Sequence, residues 1–101
     1  DSVTINTGGE KVFVEEVERA LIHHPAVRDA IVVGRPSTRW GSEVVAVVAL
    51  DEDASDESLL AEAAKHLARY KLPKEFIRVP AVVRSPSGKA DYRWAKSVAT
   101  S

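Results

Sequence analysis

Apolar and polar positions alternate along the chain in short blocks that predict small elements in a fixed order. Val3-Thr4-Ile5-Asn6 alternates as a half-buried strand does, and Thr7-Gly8-Gly9-Glu10-Lys11-Val12 supplies a tight turn and a return, which predicts an N-terminal β-hairpin. From Val14 to His24 the side chains Val14, Val17, Leu21 and His24 recur at helical spacing, with Glu15, Glu16 and Glu18 near the positive end of the dipole and Pro25 closing the segment. Val27 to Val33 and Glu43 to Leu50 are valine- and alanine-rich runs that suit strands buried on one or both faces. The connection from Gly34 to Ser42 is full of turn formers and reads as a long hairpin tip. Ser55 or Asp56 can cap a second helix with the stripe Leu59, Leu60, Ala63, Ala64 and Leu67. Tyr70-Lys71-Leu72-Pro73-Lys74 ends that helix, Glu75 to Val79 reads as a third sheet strand, and Asp91 caps a last helix carrying Tyr92, Ala95 and Val98. The order predicts one α+β domain, a small three-stranded sheet covered by helices and preceded by a short hairpin.

Composition narrows the function classes. With 101 residues and 45% hydrophobic content there is room for one modest core. The longest apolar run, Val44 to Leu50, is strand-sized, so no transmembrane segment is expected. A net charge of −1 leaves no concentrated basic face for nucleic acid. The absence of cysteine removes disulfides and thiolate metal sites and is compatible with a cytoplasmic setting. His23 and His24 are adjacent and point to different helix sectors, and His66 stands alone, so the histidines offer no metal spacing. The opening Asp1-Ser2, without an initiator methionine, reads as the start of an excised piece.

The segment with the sharpest chemistry is Ser85-Pro86-Ser87-Gly88-Lys89-Ala90-Asp91-Tyr92. Pro86 presets one backbone angle, Gly88 lets the backbone turn closely past a bound group, and Lys89 places a positive charge on a flexible arm. Such an ammonium neutralises phosphate or carboxylate oxygens and can meet charge that develops in a transition state. A solvated surface turn is the plain alternative for this spacing alone.

Several segments then agree in order. Thr7-Gly8-Gly9-Glu10-Lys11-Val12, Glu15-Glu16-Val17-Glu18, His24-Pro25-Ala26-Val27 with Asp29-Ala30, Val33-Gly34-Arg35-Pro36, Trp40-Gly41, Tyr70-Lys71-Leu72-Pro73-Lys74 and Arg84-Ser85-Pro86-Ser87-Gly88-Lys89 together resemble the small C-terminal domain of adenylate-forming enzymes, specifically acyl-CoA synthetases of the fatty-acid type. The resemblance covers essentially the whole chain. It implies a two-step reaction with ATP, accompanied by Mg2+, and coenzyme A as substrates: a carboxylate attacks the α-phosphate to give acyl-adenylate and pyrophosphate, and the coenzyme A thiolate then displaces AMP. It further implies a domain that swings against its own larger N-terminal domain, absent here, and presents one face per step.

Residue by residue, the resemblance makes Lys89 the adenylation lysine, with Pro86 and Gly88 supporting its loop. It puts Gly8, Gly9 and Glu10, with Trp40 and Gly41 nearby, beside coenzyme A in the thioester step, and it locates the hinge at Asp1 or Ser2. Arg35, Arg39 and Arg84 are candidates for the coenzyme's phosphates. The chain departs from the family in having Val14 where proline is common, and Ser2 where the hinge is commonly Asp or Lys. By itself the piece is expected to be inactive. Two alternatives stand beside this reading: the C-terminal domain of an acyl-AMP ligase that loads a carrier protein, and a stand-alone α+β interaction domain. An accessible lysine on a loop also suggests a lysine acetyltransferase and deacetylase acting on Lys89.

Overall fold

The computed structural model describes residues 3–101. The hinge positions Asp1 and Ser2 lie outside the described residues. The elements follow the sequence in the order β1 (Thr4–Thr7), β2 (Glu10–Phe13), α1 (Val14–Ile22), β3 (Val27–Ser37), β4 (Gly41–Leu50), α2 (Asp56–Ala64), a 3-10 turn (Arg69–Lys71), β5 (Glu75–Arg78) and α3 (Tyr92–Thr100).

The expected α+β arrangement is present. The three sheet strands are β3, β4 and β5, with β3 antiparallel to β4 and β5 parallel to it. The β1–β2 hairpin joins them at one corner, where Thr7 pairs with Gly41, which makes a five-stranded mixed sheet. Strands β3 and β4 read as continuous apolar runs because both of their faces are buried. On one face Ala30, Val32, Val44, Ala46 and Val48 pack with Val14, Val17 and Leu21 of α1 and with Leu59 and Ala63 of α2. On the other, Ile31, Val33, Val45 and Val47 meet Ala95 and Ala99 of α3. The small alanines of α3 let that helix lie close against the valine face.

Four local expectations are corrected. The long tip read between Gly34 and Ser42 is mostly strand, since pairing continues to Ser37 opposite Gly41 and leaves a three-residue turn. Pro36 is tolerated there because β3 is an edge strand. Helix α2 ends at Ala64, and Leu67, though buried, lies beyond it; Leu60 and Ala64 of the expected stripe face solvent. Helix α1 ends at Ile22, so His24 follows it, donating from Nε2 to the Ser58 hydroxyl (2.7 Å) and accepting the Ala26 N–H at Nδ1 (3.0 Å). His66 is not alone: its ring stacks on His23 with centroids 4.4 Å apart and contacts Glu62 at 2.9 Å.

Helix α1 has no side-chain cap, yet the Val14 N–H donates to the Val3 carbonyl (3.1 Å), a bond that a proline at this position could not make. Helix α2 is capped as expected by Ser55, whose hydroxyl accepts the Ser58 N–H at 3.0 Å. Replacing Ser55 with alanine is expected to cost about 1 kcal/mol. In a domain of this size that is a fall of roughly 4–8 °C in the midpoint of a thermal melt followed by circular dichroism.

Candidate functional site

Of the residues singled out by sequence, Lys89 lines one depression and Gly8, Glu10 and Trp40 line another, while Gly9, Gly41, Pro86 and Gly88 line neither. The first, of about 450 Å3, is lined by Val3, Glu15, Glu18, Arg84, Lys89, Ala90 and Tyr92. The second, of about 120 Å3, is lined by Thr7, Gly8, Glu10, Trp40, Tyr70 and Lys74. They share no lining residue. Val3 reaches one and Thr7 the other, four residues apart along an extended segment, which is roughly 13 Å of chain. One short strand therefore connects them.

At the first depression the backbone of Lys89 is held on both sides. Its N–H donates to the Ser85 hydroxyl (3.2 Å), and its carbonyl accepts the Ser85 N–H (2.8 Å). The Gly88 N–H donates to the Ser85 carbonyl (2.8 Å), Arg84 and Ala90 pair as an isolated bridge, and Gly88 takes a φ of +88°, which glycine adopts without strain. The turn is thus closed on itself by hydrogen bonds, while the Lys89 side chain forms no ion pair among the described residues. A fixed base with a free cationic arm suits the capture of an anion. Pro86 sits at the exposed top of the turn.

Beneath it lies a polar clamp that sequence reading missed. Glu18, read from sequence only as a charge near the positive end of the helix dipole, is half-buried: it accepts the Val32 N–H (2.9 Å) and the Tyr92 hydroxyl (2.9 Å), tying α1 to β3 and α3. Burial pushes its carboxyl above the usual carboxylate range, and burial with the Glu18 charge pushes the Tyr92 phenol up. Beside them Arg84 grips Asp29 with two bonds, Nε to Oδ2 at 2.9 Å and Nη2 to Oδ1 at 2.6 Å, and holds the Asp29 carboxyl below its usual range.

At the second depression Gly8 and Gly9 have φ of +57° and +83°, the backbone that a two-residue type I′ hairpin loop requires. The Gly8 N–H donates to the Trp40 carbonyl (2.9 Å), and a Cβ at Gly8 would stand 3.2 Å from the Trp40 ring. Gly41 follows at φ +79° and pairs with Thr7. The indole is 36% exposed, so it both supports the glycine turn and offers a face to solvent.

Two cations lie over that indole, the Arg39 guanidinium at 4.6 Å from the ring centroid and the Lys74 ammonium at 5.3 Å. Neither forms an ion pair among the described residues. Tyr70 stands in the 3-10 turn, which Lys71 fastens to α1 through both oxygens of Glu16 (2.8 and 3.1 Å), and Lys74 is fixed through its N–H to the Val44 carbonyl (2.8 Å). Two aromatic faces, two cations without an ion pair among the described residues and a glycine turn without side chains form an aromatic, cationic cradle whose chemistry suits a planar, phosphorylated group.

The three arginines proposed for phosphates now separate. Arg35 is consumed by Glu43, Glu75 and the Ala99 carbonyl, and joins β3, β4, β5 and α3; Arg84 is consumed by Asp29 and the Gly88 carbonyl. Only Arg39 of the three is at the aromatic cradle. Tyr70 and Lys74 were legible as a motif but not as neighbours of Trp40 in one depression, since nothing local marks that meeting.

Residues 16–89 match the model of the AMP-binding enzyme C-terminal domain. The chain is 62% identical over 101 residues to a medium-chain acyl-CoA ligase of Mycobacterium avium, and 54% identical over 97 residues to a 3-oxocholest-4-en-26-oate–CoA ligase of Rhodococcus rhodochrous; the matches cover 98% and 94% of this chain and 18% of each relative. Among solved structures it superposes on a fatty acyl CoA synthetase of Mycobacterium tuberculosis with a TM-score of 0.88 at 34% identity, covering 94% of this chain and 19% of that one. It superposes equally, at 0.88, on an amide bond synthetase from Marinactinospora thermotolerans with 31% identity, covering 97% and 20%. The chain spans about a fifth of the length of these proteins and corresponds in each to a part. It belongs to the AMP-binding enzyme C-terminal domain family.

Proposed function

We propose that this domain is the mobile C-terminal part of a ligase that activates an apolar carboxylic acid with ATP and transfers the acyl group to coenzyme A. The observation that carries the reading is the separation of two sites on one small body, an unpaired lysine on a braced turn and an aromatic, cationic cradle at a glycine turn. Each suits one half of the reaction, and a rigid-body swing against the larger N-terminal domain would bring them to the acyl group in turn.

In the first half-reaction a carboxylate oxygen attacks the α-phosphorus, and pyrophosphate leaves with the bond electrons. Lys89 offsets the charge that gathers on the oxygens around phosphorus. In the second, the thiolate attacks the acyl carbonyl and AMP leaves. Gly8 and Gly9 give the pantetheine arm a path close to backbone, Trp40 and Tyr70 offer faces for the adenine, and Arg39 and Lys74 meet its phosphates. Glu10 and Gly41 border the same path.

Mg2+ accompanies ATP on the larger domain; the described residues contain no group of three or more His, Cys, Asp or Glu that could hold a metal. No helix among them is long and apolar enough to cross a membrane, and both nucleotide substrates point to the cytoplasm as the setting. Exposed Lys89 also offers itself to a lysine acetyltransferase, and acetylation would remove its charge.

The substrates for which the relatives are named, a medium-chain acyl group and a cholestenoate, support an apolar acid. The full-length ligase supplied with a medium-chain fatty acid, ATP and coenzyme A should release acyl-CoA and AMP in equal amounts. Acyl-adenylate that accumulates with coenzyme A present, and is discharged only by a phosphopantetheinyl carrier protein, would transfer the protein to the carrier-loading reading.

A further inference from the structure

Every residue from Ser85 to Lys89 is exposed, so no apolar side chain anchors the turn to the domain. Its hydrogen bonds close on itself: Ser85 with Lys89, Ser85 with Gly88 and Ser85 with Ser87. Among the described residues, the side chain that links this turn to the sheet is Arg84. One guanidinium spends Nη1 on the Gly88 carbonyl (3.1 Å) and Nε with Nη2 on both oxygens of Asp29. The Gly88 carbonyl belongs to the peptide plane whose other end is the Lys89 nitrogen, and that nitrogen donates to Ser85. Fixing this plane fixes where the Lys89 side chain leaves the backbone.

The far end of the tether is equally set. Asp29 sits on β3 just after the register irregularity between Val27 and Asp29, and its Oδ1 also accepts the N–H of Ala30 (2.9 Å). A bulge of this kind re-aims a side chain and holds it. Asp29 is therefore a preset anchor on the sheet, and the planar fork of arginine, which can satisfy a carboxylate and a carbonyl together, is the residue that spans the gap.

We infer that Arg84, held by Asp29, is a positioning residue for adenylation: it sets the origin and direction of Lys89 and touches no substrate itself. The inference rests on the assignment of Lys89 to the first half-reaction. A charge that must meet a transition state within a fraction of an ångström is sensitive to the placement of its base, so freeing the turn should slow the step without weakening substrate binding.

The test compares Arg84→Gln, Arg84→Lys, Asp29→Asn and Lys89→Ala in the full-length ligase. Pyrophosphate release from acid and ATP is measured separately from thioester formation with pre-made acyl-adenylate, and each variant's unfolding midpoint is recorded. Arg84→Gln should lower kcat for adenylation roughly 10- to 100-fold while KM for ATP and acid stays at the parental value. Thioester formation should remain parental. Asp29→Asn should show the same pattern more weakly, and Arg84→Lys, which keeps the pair with Asp29 but cannot span both partners, should recover part of the rate. If Lys89→Ala loses adenylation while Arg84→Gln keeps it, the positioning role is wrong and the assignment of Lys89 stands. If Arg84→Gln slows both half-reactions alike, in step with a lowered unfolding midpoint, Arg84 is only a fold residue and the inference is overturned. Full adenylation in Lys89→Ala would overturn the assignment of Lys89 and the inference with it.

Discussion

Substituting Lys89 by alanine in the full-length ligase is expected to slow acyl-adenylate formation roughly 10²- to 10³-fold, about 3–4 kcal/mol, the effect of losing one preorganised donor to a developing charge. The change should be confined to chemistry. The turn is made of backbone and Ser85 contacts, Gly88 supplies its positive φ, and the Lys89 side chain forms no ion pair among the described residues, so alanine removes an arm and leaves its base. Transfer from pre-made acyl-adenylate to coenzyme A should keep its rate, because the depression that holds Lys89 shares no lining residue with the one at Gly8 and Trp40. The measurement is pyrophosphate release with acid and ATP, set against thioester formation from supplied acyl-adenylate. Equal loss of both would mean that the two depressions work in one step, and would sink the division of labour proposed above.

Which parts were readable from sequence follows from how local their causes are. Ser55 and Asp91 announce their helices because a cap acts within three residues, and Gly8-Gly9 announces the hairpin because only glycine accepts that turn twice in succession. The valine runs of β3 and β4 gave away burial but not length: strand pairing carried through Arg35, Pro36 and Ser37, residues whose composition favours a turn, because Gly41 to Glu43 lie opposite them in register. Arg35 illustrates the limit most plainly. As a sequence it is one more candidate for a phosphate; in the fold its guanidinium is spent on Glu43, Glu75 and the Ala99 carbonyl, partners 8 to 64 residues away. Glu18 with Tyr92, Asp29 with Arg84, and Tyr70 and Lys74 with Trp40 share that character. They are meetings of distant segments, and neither helical period nor turn chemistry encodes them. The residues legible one by one were those whose conformation depends on their own backbone, Gly8, Gly9 and Gly88, each at positive φ.

Trp40 allows the second half-reaction to be tested in isolation. Replacing it by alanine is expected to raise KM for coenzyme A roughly 5- to 150-fold, the 1–3 kcal/mol carried by an aromatic face against a base, while pyrophosphate release stays parental. The ring does two things that must be told apart: it backs the glycine turn, 3.2 Å from where a Gly8 Cβ would stand, and it gathers Arg39 and Lys74 over its face. Pantetheine as acceptor separates them, because it has the thiol and the arm but no nucleotide. If the indole serves the nucleotide, Trp40→Ala and the parent should use pantetheine equally well, and Trp40→Phe should recover most of the affinity for coenzyme A. If the indole chiefly braces Gly8 and Gly9, the variant should lose as much with pantetheine as with coenzyme A, since the arm would then meet a loosened turn. The exposed face of the ring, with two unpaired cations above it and Tyr70 lining the same depression, is more than a brace for two glycines needs, which is why the difference between the two acceptors is expected to be large.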